Sequence, residues 1–278
     1  MHIDPDRPLL EFNNLWVHGR PVVDSNNPKH SSGEQTKTFA PHKLYQRWSN
    51  KRQKNALSDG LSPHSRILVN DASGKLLSGQ VTVLTGASGS GKSVLLRVLA
   101  GLLPMTTGDI HLRSDATPNQ NHKSIHTASP TDWRKHVALL AQHPQLLEGS
   151  VLENLKMPYD LHAHRTQSFD RAWHISQLET LNRHSDFLQQ EAHHLSGGER
   201  QLVNTLRLLQ LNPQVLLLDE PTAALDIDTS AQLVHLLMRW LQADTQRTLL
   251  WVTHDTKDIM PLAHRHWRMQ AGVLTEVL

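Results

Sequence analysis

Short, almost uninterrupted apolar runs recur between residues 81 and 253, and longer amphipathic segments separate them. The runs are VTVLT, VALL, VLLLD and TLLWVT, at residues 81–85, 137–140, 215–219 and 248–253. Such runs are typical of parallel strands that are covered on both faces. Segments with helical spacing lie between them, at 91–101, 200–211 and 229–242. Strands that alternate with helices predict an α/β fold around a mostly parallel sheet.

Two further segments depart from this alternation. Residues 9–23 alternate between apolar and polar positions and predict an N-terminal antiparallel β part. Residues 143–205 are helix-like and poor in strand patterns, which predicts a helical subdomain inserted between two strands of the core. Because the chain has no internal repeat, we expect a single domain over residues 1–278 that carries one copy of each of its sites.

Residues 24–66 form the segment least like the rest of the chain. They are rich in Ser, Asn, Lys and Gln, and they contain eight Lys or Arg against three acidic residues. This composition favours a mobile surface insertion. A second interpretation stays open because Leu44 and Trp48 are four residues apart. Residues 42–57 would then form a short amphipathic helix that touches anionic lipid or a partner.

Composition narrows the classes of function. The formal net charge of +2 is too small to indicate nucleic acid as a partner. No apolar run reaches the roughly 18 residues of a membrane span, and the N-terminus does not have the pattern of a secretory leader. Without cysteine the chain has no disulfide and no thiolate metal site. Close histidine pairs are conceivable metal ligands but are more typical of a solvated surface; they are His162/His164, His193/His194 and His264/His266.

The segment after the first buried strand carries a phosphate-binding pattern, G-x-x-x-x-G-K-S. It comprises Gly86, Ala87, Ser88, Gly89, Ser90, Gly91, Lys92 and Ser93. Glycines let successive backbone N–H groups point at phosphate oxygens, and the following helix adds its N-terminal dipole. Lys92 is placed to reach the β- and γ-phosphates, and the Ser93 hydroxyl is placed to bind Mg²⁺. The sequence therefore predicts a P-loop NTPase core that binds ATP with Mg²⁺.

The buried strand at residues 215–219 ends in an acid, Asp219, and a second acid, Glu220, follows it. Carboxylates at a buried strand tip are costly unless a cation lies nearby. We therefore predict that Asp219 is the acid on the Mg²⁺ side of the site. Glu220 is then placed to act as the general base that activates the attacking water.

A third pattern, LSGGERQ at residues 195–201, precedes this acidic strand. Ser196 and Glu199 have the spacing of a capping box for the helix that follows. Ser196, Gly197 and Gly198 at the start of that helix also offer an anion site. Within one chain we expect no phosphate to reach this site.

LSGGERQ resembles the signature motif of the ABC (ATP-binding cassette) ATPases, and other elements of that family are found in the same order. Gln142 is similar to the Q-loop glutamine, Ala223–Asp226 resembles the D-loop, and His254 is similar to the switch histidine. The resemblance covers about residues 9–23 and 67–278.

The resemblance implies a mechanism and a set of partners. Two copies would pack head to tail and enclose two ATP molecules, each between the phosphate loop of one chain and the Ser196–Gly198 segment of the other. Gln142 would bind Mg²⁺, His254 would hold the γ-phosphate and orient the water, and Asp226 would complete the nucleotide site. This homodimer would drive a separate transmembrane permease and would be a cytoplasmic protein on the inner face of the plasma membrane.

Family members stack the adenine on an aromatic side chain near the first strand. Spacing from Gly19 places His18 at that position, and Trp16 is the alternative. Simple packing explains Trp16 equally well, so the choice between the two stays open.

Three stretches are similar to a bacterial subgroup of the family, the FetA-type iron-efflux ATPases, which pair with a FetB-like permease. They are residues 133–158, 204–226 and 249–255. This similarity implies a metal (iron) export role, although none of these residues selects a substrate.

Two rival functions are kept beside the transporter subunit. One is a soluble ABC ATPase that acts on nucleic acid or the ribosome. Such proteins typically have two fused nucleotide halves, long coiled-coil insertions or zinc modules, whereas this chain has one half, no cysteine and no long heptad segment. The other is a nucleotide-binding regulator without turnover, against which the presence of Glu220 and His254 argues.

Overall fold

The fold is known from a computed structural model. The described residues are 8–19, 66–113, 122–143, 145–223, 225–254, 256–257 and 259–277. The chain divides into two compact units, one formed by residues 1–17 and 68–278 and the other by residues 18–67. Almost all of the second unit, including the predicted amphipathic helix, lies outside the described residues. Within its described part, the Gly19 N–H donates to the Arg66 carbonyl oxygen at 2.8 Å.

The strands of the described residues form two sheets. In chain order they are β1 (Pro8–His18), β2 (Ile67–Leu77), β3 (Val81–Thr85), β4 (Thr107–Arg113), β5 (His122–Ser124), β6 (Val137–Leu140), β7 (Val215–Asp219), β8 (Thr248–Val252), β9 (Arg265–Gln270) and β10 (Val273–Val277). The six-stranded sheet has the order β10-β9-β3-β8-β7-β6. Its pairs are parallel except for β9 and β10. This sheet confirms the predicted α/β fold.

Side chains of β7 and β8 explain why these strands read as unbroken apolar runs. Along β7, Leu217 packs into one buried cluster, and its neighbours Leu216 and Leu218 pack into another. Along β8, Leu250 and Trp251 divide in the same way. Because successive side chains of a strand point to opposite faces, both faces of this sheet are covered.

The second sheet has the order β2-β1-β4-β5 and confirms an N-terminal antiparallel part. Strand β1 pairs antiparallel with β4, and β4 pairs antiparallel with β5. The sequence pattern located only β1 of these strands. It also missed β9 and β10, because their pattern of burial is weak: β10 has no buried residue and β9 has two, Trp267 and Met269.

Six α-helices lie among the described residues. They are α1 (Lys92–Leu99), α2 (Pro130–His136), α3 (Val151–Lys156), α4 (Arg171–Thr180), α5 (Gly197–Leu209) and α6 (Ile227–Gln242). The predicted helices 91–101, 200–211 and 229–242 correspond to α1, α5 and α6. Helices α5 and α6 begin earlier than predicted because Ser196 and Asp226 cap them.

The predicted helical segment, residues 143–205, contains α3, α4 and most of α5, with short 3₁₀ turns between them. Its described residues form no strand beyond one isolated bridge between Ser150 and Glu191. Whether the segment moves as a separate subdomain stays a prediction. No helix of the described residues is both long enough and apolar enough to cross a bilayer.

Candidate functional site

The predicted site residues gather at one edge of the six-stranded sheet. Strands β3, β8, β7 and β6 are neighbours and parallel, so their carboxyl ends meet at the same edge. The phosphate loop follows β3, His254 follows β8, Asp219 and Glu220 end β7, and Gln142 follows β6. Ligands of open α/β sheets bind at this edge. The topology thus brings together residues that are up to 168 positions apart in the sequence.

The phosphate loop depends on glycine at two positions for steric reasons. Gly86 has φ 145°, and a Cβ there would lie 2.1 Å from the Met269 carbonyl oxygen. Gly91 has φ 110°, and its Cβ would lie 2.4 Å from the Leu68 carbonyl oxygen. The motif predicted the glycines, but β2 and β9, which supply these two carbonyls, lie too far away in sequence to be anticipated. Gly89 differs because nothing lies within 4 Å of its Cβ position, so the loop is open there.

Lys92 opens α1 and folds back over the phosphate loop. Its Nζ donates to the carbonyl oxygens of Gly86 at 2.7 Å and Ala87 at 3.0 Å. Burial lowers the pKa of Lys92, while attraction to Glu220 and Asp219 opposes that shift. The ammonium group is therefore held near two carboxylates at the place where the motif puts triphosphate oxygens.

Glu220 is the centre of a three-residue contact. One of its carboxylate oxygens lies 2.8 Å from His254 Nε2. The other accepts from Gln142 Nε2 at 2.9 Å. The backbone of Glu220 is left-handed, with φ 51°, and its N–H donates to the Val252 carbonyl oxygen at 3.0 Å. A non-glycine residue in this conformation stores strain, which is common at functional positions.

The candidate Mg²⁺ ligands offer oxygen atoms only. Asp219 is 7% exposed at the end of β7, and Ser93 is half-buried in the first turn of α1. Because Gln142 uses its amide nitrogen on Glu220, its amide oxygen stays available. Hydroxyl, carboxylate and amide oxygens are the donors that Mg²⁺ prefers, so these residues fit that ion.

The predicted anion site at the start of α5 is built as a cap. Ser196 Oγ accepts from the Glu199 N–H at 3.2 Å, and a Glu199 carboxylate oxygen accepts from the Ser196 N–H at 3.0 Å. Ser196 and Gly197 are exposed, and nothing lies within 4 Å of a Cβ at Gly197. Among the described residues, no hydrogen bond joins Ser196, Gly197 or Gly198 to the phosphate loop.

Two other predicted residues lie at ends of elements. Asp226 caps α6, and its carboxylate accepts from the N–H and the hydroxyl of Thr229 at 2.9 and 2.8 Å. These hydrogen bonds lower the pKa of Asp226. His18 is the last residue of β1, and Trp16 pairs with Thr107 of β4. Their predicted roles at the nucleotide stay predictions.

The histidine pairs are not joined by further ligands. The rings of His193 and His194 lie 3.9 Å apart. In the part of the chain that is described, no group of three or more His, Asp and Glu side chains is placed to hold a metal ion.

Comparison with known proteins gives a consistent family. A family model described as "ABC transporter" matches residues 69–223. The chain is 32% identical over 192 residues to the "Probable iron export ATP-binding protein FetA" of Escherichia coli, and the match covers 69% of this chain and 80% of that protein.

Other relatives of similar identity carry different cargo in their names. One is the "Trimethylamine N-oxide transport system ATP-binding protein TmoW" of Pelagibacter ubique, 32% identical over 75% of this chain and 60% of that protein. Another is the "Petrobactin import ATP-binding protein FpuD" of Bacillus anthracis, 33% identical over 70% and 69%. The chain thus spans about three fifths to four fifths of these three relatives.

Solved structures share the fold at 20% identity. A dimeric ATP-binding cassette in a post-hydrolysis state, bound to ADP and Pi, gives a TM-score of 0.68 over 96% of this chain and 97% of that chain. A nucleotide-free ATP-binding cassette from an ABC transporter gives 0.65 over 97% and 91%.

Proposed function

This chain belongs to the ABC transporter family as an ATP-binding subunit, an ATPase coupled to transport, and we propose that two copies close around two ATP molecules to drive a separate permease. The observation that carries this proposal is the convergence of His254 and Gln142 on Glu220, at the edge of the sheet where the phosphate loop opens. A general base, a γ-phosphate contact and a metal ligand are thereby held in one network.

In the proposed hydrolysis, each of these side chains has one role. A water oxygen attacks the γ-phosphorus, the bond to the departing ADP breaks, and Glu220 takes the proton of the water. His254 turns from Glu220 to the γ-phosphate and orients the water. Lys92 exchanges its two loop carbonyls for phosphate oxygens, so its buried charge gains a stronger partner.

Mg²⁺ is the metal that this site fits, with Ser93, Asp219 and Gln142 as its protein ligands. When bound, it neutralises charge on the β- and γ-phosphates.

The proposed second chain explains a glycine that the single chain does not need. Helix capping requires Ser196 and Glu199, but it does not require Gly197, which has open space around it. In the proposed dimer, the Ser196–Gly198 segment lies against the γ-phosphate of the ATP that is bound to the phosphate loop of the second copy. A Cβ at Gly197 would then fill space that this ATP occupies. In the same arrangement, the γ-phosphate is the anion that binds at the exposed N-terminus of α5. Asp226 and the adenine-stacking residue, His18 or Trp16, belong to the same proposed nucleotide site.

The permease is proposed to dock on the surface near residues 143–165. Leu147 is 56% exposed there, while Leu152 is partly buried against the core and is the weaker candidate. The backbone of Leu147 is held by Asn154, whose side chain both accepts and donates to it at 2.8 and 3.0 Å. Arg207 of α5 donates to the Gln145 carbonyl oxygen at 2.8 Å.

These contacts tie the proposed docking surface to the helix that carries the signature motif. We propose that residues 143–205 move as one helical subdomain within a single ATPase domain. The permease would hold the protein at the cytoplasmic face of the membrane.

Iron export through a FetB-like permease is the finer proposal. Its support is the similarity to FetA. The match spans 80% of the length of FetA, whereas it spans 60% and 69% of the two relatives that are named for other cargo. In inverted membrane vesicles that contain the chain and its permease, ATP should drive uptake of radioactive ferrous iron. ATP-driven uptake of another solute without iron uptake would show that this cargo is wrong.

The test of the main proposal is the oligomeric state of a Glu220→Gln variant, measured by light scattering with and without Mg-ATP. Glutamine keeps the shape of the side chain but cannot accept the proton, so ATP should persist and hold two chains together. We expect a monomer-to-dimer shift that depends on ATP and that a Gly197→Glu change abolishes. Bound ATP without any shift would show that the isolated chains do not form this dimer.

A further inference from the structure

Glu199 brings a negative charge to the start of α5, where the proposed dimer has to bind an anion. One of its carboxylate oxygens, Oε2, accepts from the Ser196 N–H at 3.0 Å, and the Glu199 N–H donates to Ser196 Oγ at 3.2 Å. Glutamine at this position would make the same two hydrogen bonds without a charge, because a capping box accepts either residue. The charge is therefore not needed for capping, and it repels a phosphate at the same helix start.

The second carboxylate oxygen of Glu199 faces a cation. Oε1 lies 3.7 Å from Arg183 Nη2, and the side chains of Arg183 and Glu199 are 31% and 25% exposed. Water and salt therefore screen this pair less than a fully exposed ion pair. Arg183 Nε is buried and has no hydrogen-bond partner within the described ranges, and no other ion pair there involves Arg183. Glu199 is thus the anion on which the charge of Arg183 acts.

The end of α4 fixes the backbone of Arg183. Asn182 has a left-handed backbone with φ 53°. Its N–H donates to the Glu179 carbonyl oxygen at 3.1 Å, and the Arg183 N–H donates to the Leu178 carbonyl oxygen at 2.9 Å. These two hydrogen bonds form a Schellman motif, in which asparagine takes the position that glycine usually has. The guanidinium group therefore extends from a backbone that is already held in place.

Arg200 is a second cation beside this helix start, but it is directed elsewhere. Its Nη2 donates to the His193 carbonyl oxygen at 3.3 Å. In the described part of the chain, it makes no ion pair with Glu199. The charge of Glu199 is therefore offset by Arg183 and not by its own neighbour in the motif.

We propose that Arg183 is a positioning residue for the signature motif. It holds the Glu199 carboxylate and offsets its charge, so that the Ser196–Gly198 segment accepts the γ-phosphate of an ATP that is bound to a second copy. This role rests on the proposed two-chain site, and Arg183 acts in it through Glu199 rather than on the nucleotide.

The test measures the dimer dissociation constant by light scattering over a range of protein concentrations, in Mg-ATP and in the Glu220→Gln background. Arg183→Met keeps an unbranched aliphatic side chain and removes the charge. The dissociation constant should rise about fivefold, as expected for a partly screened charge interaction. Arg183→Lys keeps the charge and should restore most of the affinity. Arg171→Met is the matched control, because it removes an exposed arginine from the start of the same helix and should leave the constant unchanged.

Glu199→Gln separates an effect of charge from an effect on structure. Glutamine keeps the cap, so this variant should dimerise no more weakly than its parent. In that background Arg183→Met should change the dissociation constant by less than about twofold, because no carboxylate is left to offset. A loss of equal size in both backgrounds would show that Arg183 does not act through Glu199. The fivefold difference should also shrink when NaCl is raised from about 0.1 M to about 0.5 M, since salt screens a charge effect.

Two results distinguish this role from the dimer itself. A parent Glu220→Gln chain that binds ATP but stays monomeric would overturn both proposals. A parent that dimerises, together with an Arg183→Met chain that dimerises equally well, would overturn the role of Arg183 alone. If Arg183→Met does not fold, Arg183→Gln decides, because it keeps a polar side chain without the charge, and an unchanged dissociation constant would refute the role.

Discussion

At the residue scale, the candidate site is organised by the cost of burying charge. Lys92 is almost fully buried, its pKa is lowered by that burial, and two carboxylates attract it. The sequence predicted roles for Lys92, from the phosphate-binding pattern, and for Glu220, from the acidic end of β7. It did not indicate that the resting Lys92 donates to two loop carbonyls, because those contacts depend on how the loop closes on itself.

The variant Lys92→Met should weaken ATP binding without preventing the protein from folding. The variant loses the cation that meets the triphosphate, so ATP affinity should fall about 100-fold, equivalent to about two hydrogen bonds to charged groups. Without nucleotide, the melting temperature should change little, because the variant loses both the desolvation cost of the buried cation and its attraction to Glu220 and Asp219. Isothermal titration calorimetry measures the ATP affinity, and thermal unfolding without nucleotide measures the melting temperature. Lys75→Met, at an exposed ion pair with Glu11, is the control that should keep full ATP affinity.

His174 should make the protein less stable in mild acid. Burial lowers the pKa of His174 from the ordinary 6.5. Just below pH 6.5 the imidazole is therefore protonated in the unfolded chain and neutral in the folded chain. Stability is therefore present above about pH 6.5 and is lost as the pH falls below it toward the folded-state pKa. Urea unfolding at about pH 7.5 and about pH 5.5 should show a smaller loss in His174→Gln than in the wild type.

The control for this comparison is His235→Gln, which changes an exposed histidine on α6. It should keep the full pH dependence of the wild type. An equal loss of stability in both variants would contradict a role for His174.

At the scale of elements, the predictability of the fold follows burial. Strands β7 and β8 are buried throughout, and their apolar runs located them to within one residue. Strands β4 and β5 alternate too little. The position of β4 depends on pairing with β1 across almost a hundred residues, and β5 in turn pairs with β4. Helix α2 has one buried residue, Trp133, so it has no apolar face that a sequence pattern would reveal.

Helix α5 provides the element-scale prediction, because its cap and its proposed anion site share Ser196. Ser196→Ala removes the cap and should cost about 1 kcal/mol of stability. Ser196→Asp caps the helix as well as serine does, but it places a carboxylate where the proposed γ-phosphate lies. Its urea midpoint should match the wild type, while its ATPase activity should be lost and its ATP affinity as a monomer retained. Full activity of Ser196→Asp would mean that this segment is a helix cap alone.

At the scale of the whole molecule, the proposed nucleotide site has two parts that one chain carries separately. The phosphate loop and the Glu220 network lie at one edge of the sheet, and among the described residues no hydrogen bond joins them to the start of α5. The sequence motifs alone predicted both parts of this site. The sequence assigned their union to a second chain only through resemblance to a family, since no pattern in one chain encodes how two chains pack.

Mixing two inactive variants tests that union directly. A Lys92→Met chain lacks a working phosphate loop but keeps Ser196, and a Ser196→Asp chain lacks the signature contact but keeps Lys92. A mixed head-to-tail dimer contains one chain of each variant. In one of its two sites, the intact phosphate loop of the Ser196→Asp chain faces the intact Ser196 of the Lys92→Met chain, so that site is complete. Random pairing makes about half of the dimers mixed, which predicts about a quarter of the wild-type ATPase rate. A rate no higher than the sum of the separate variants would mean that each chain completes its site alone.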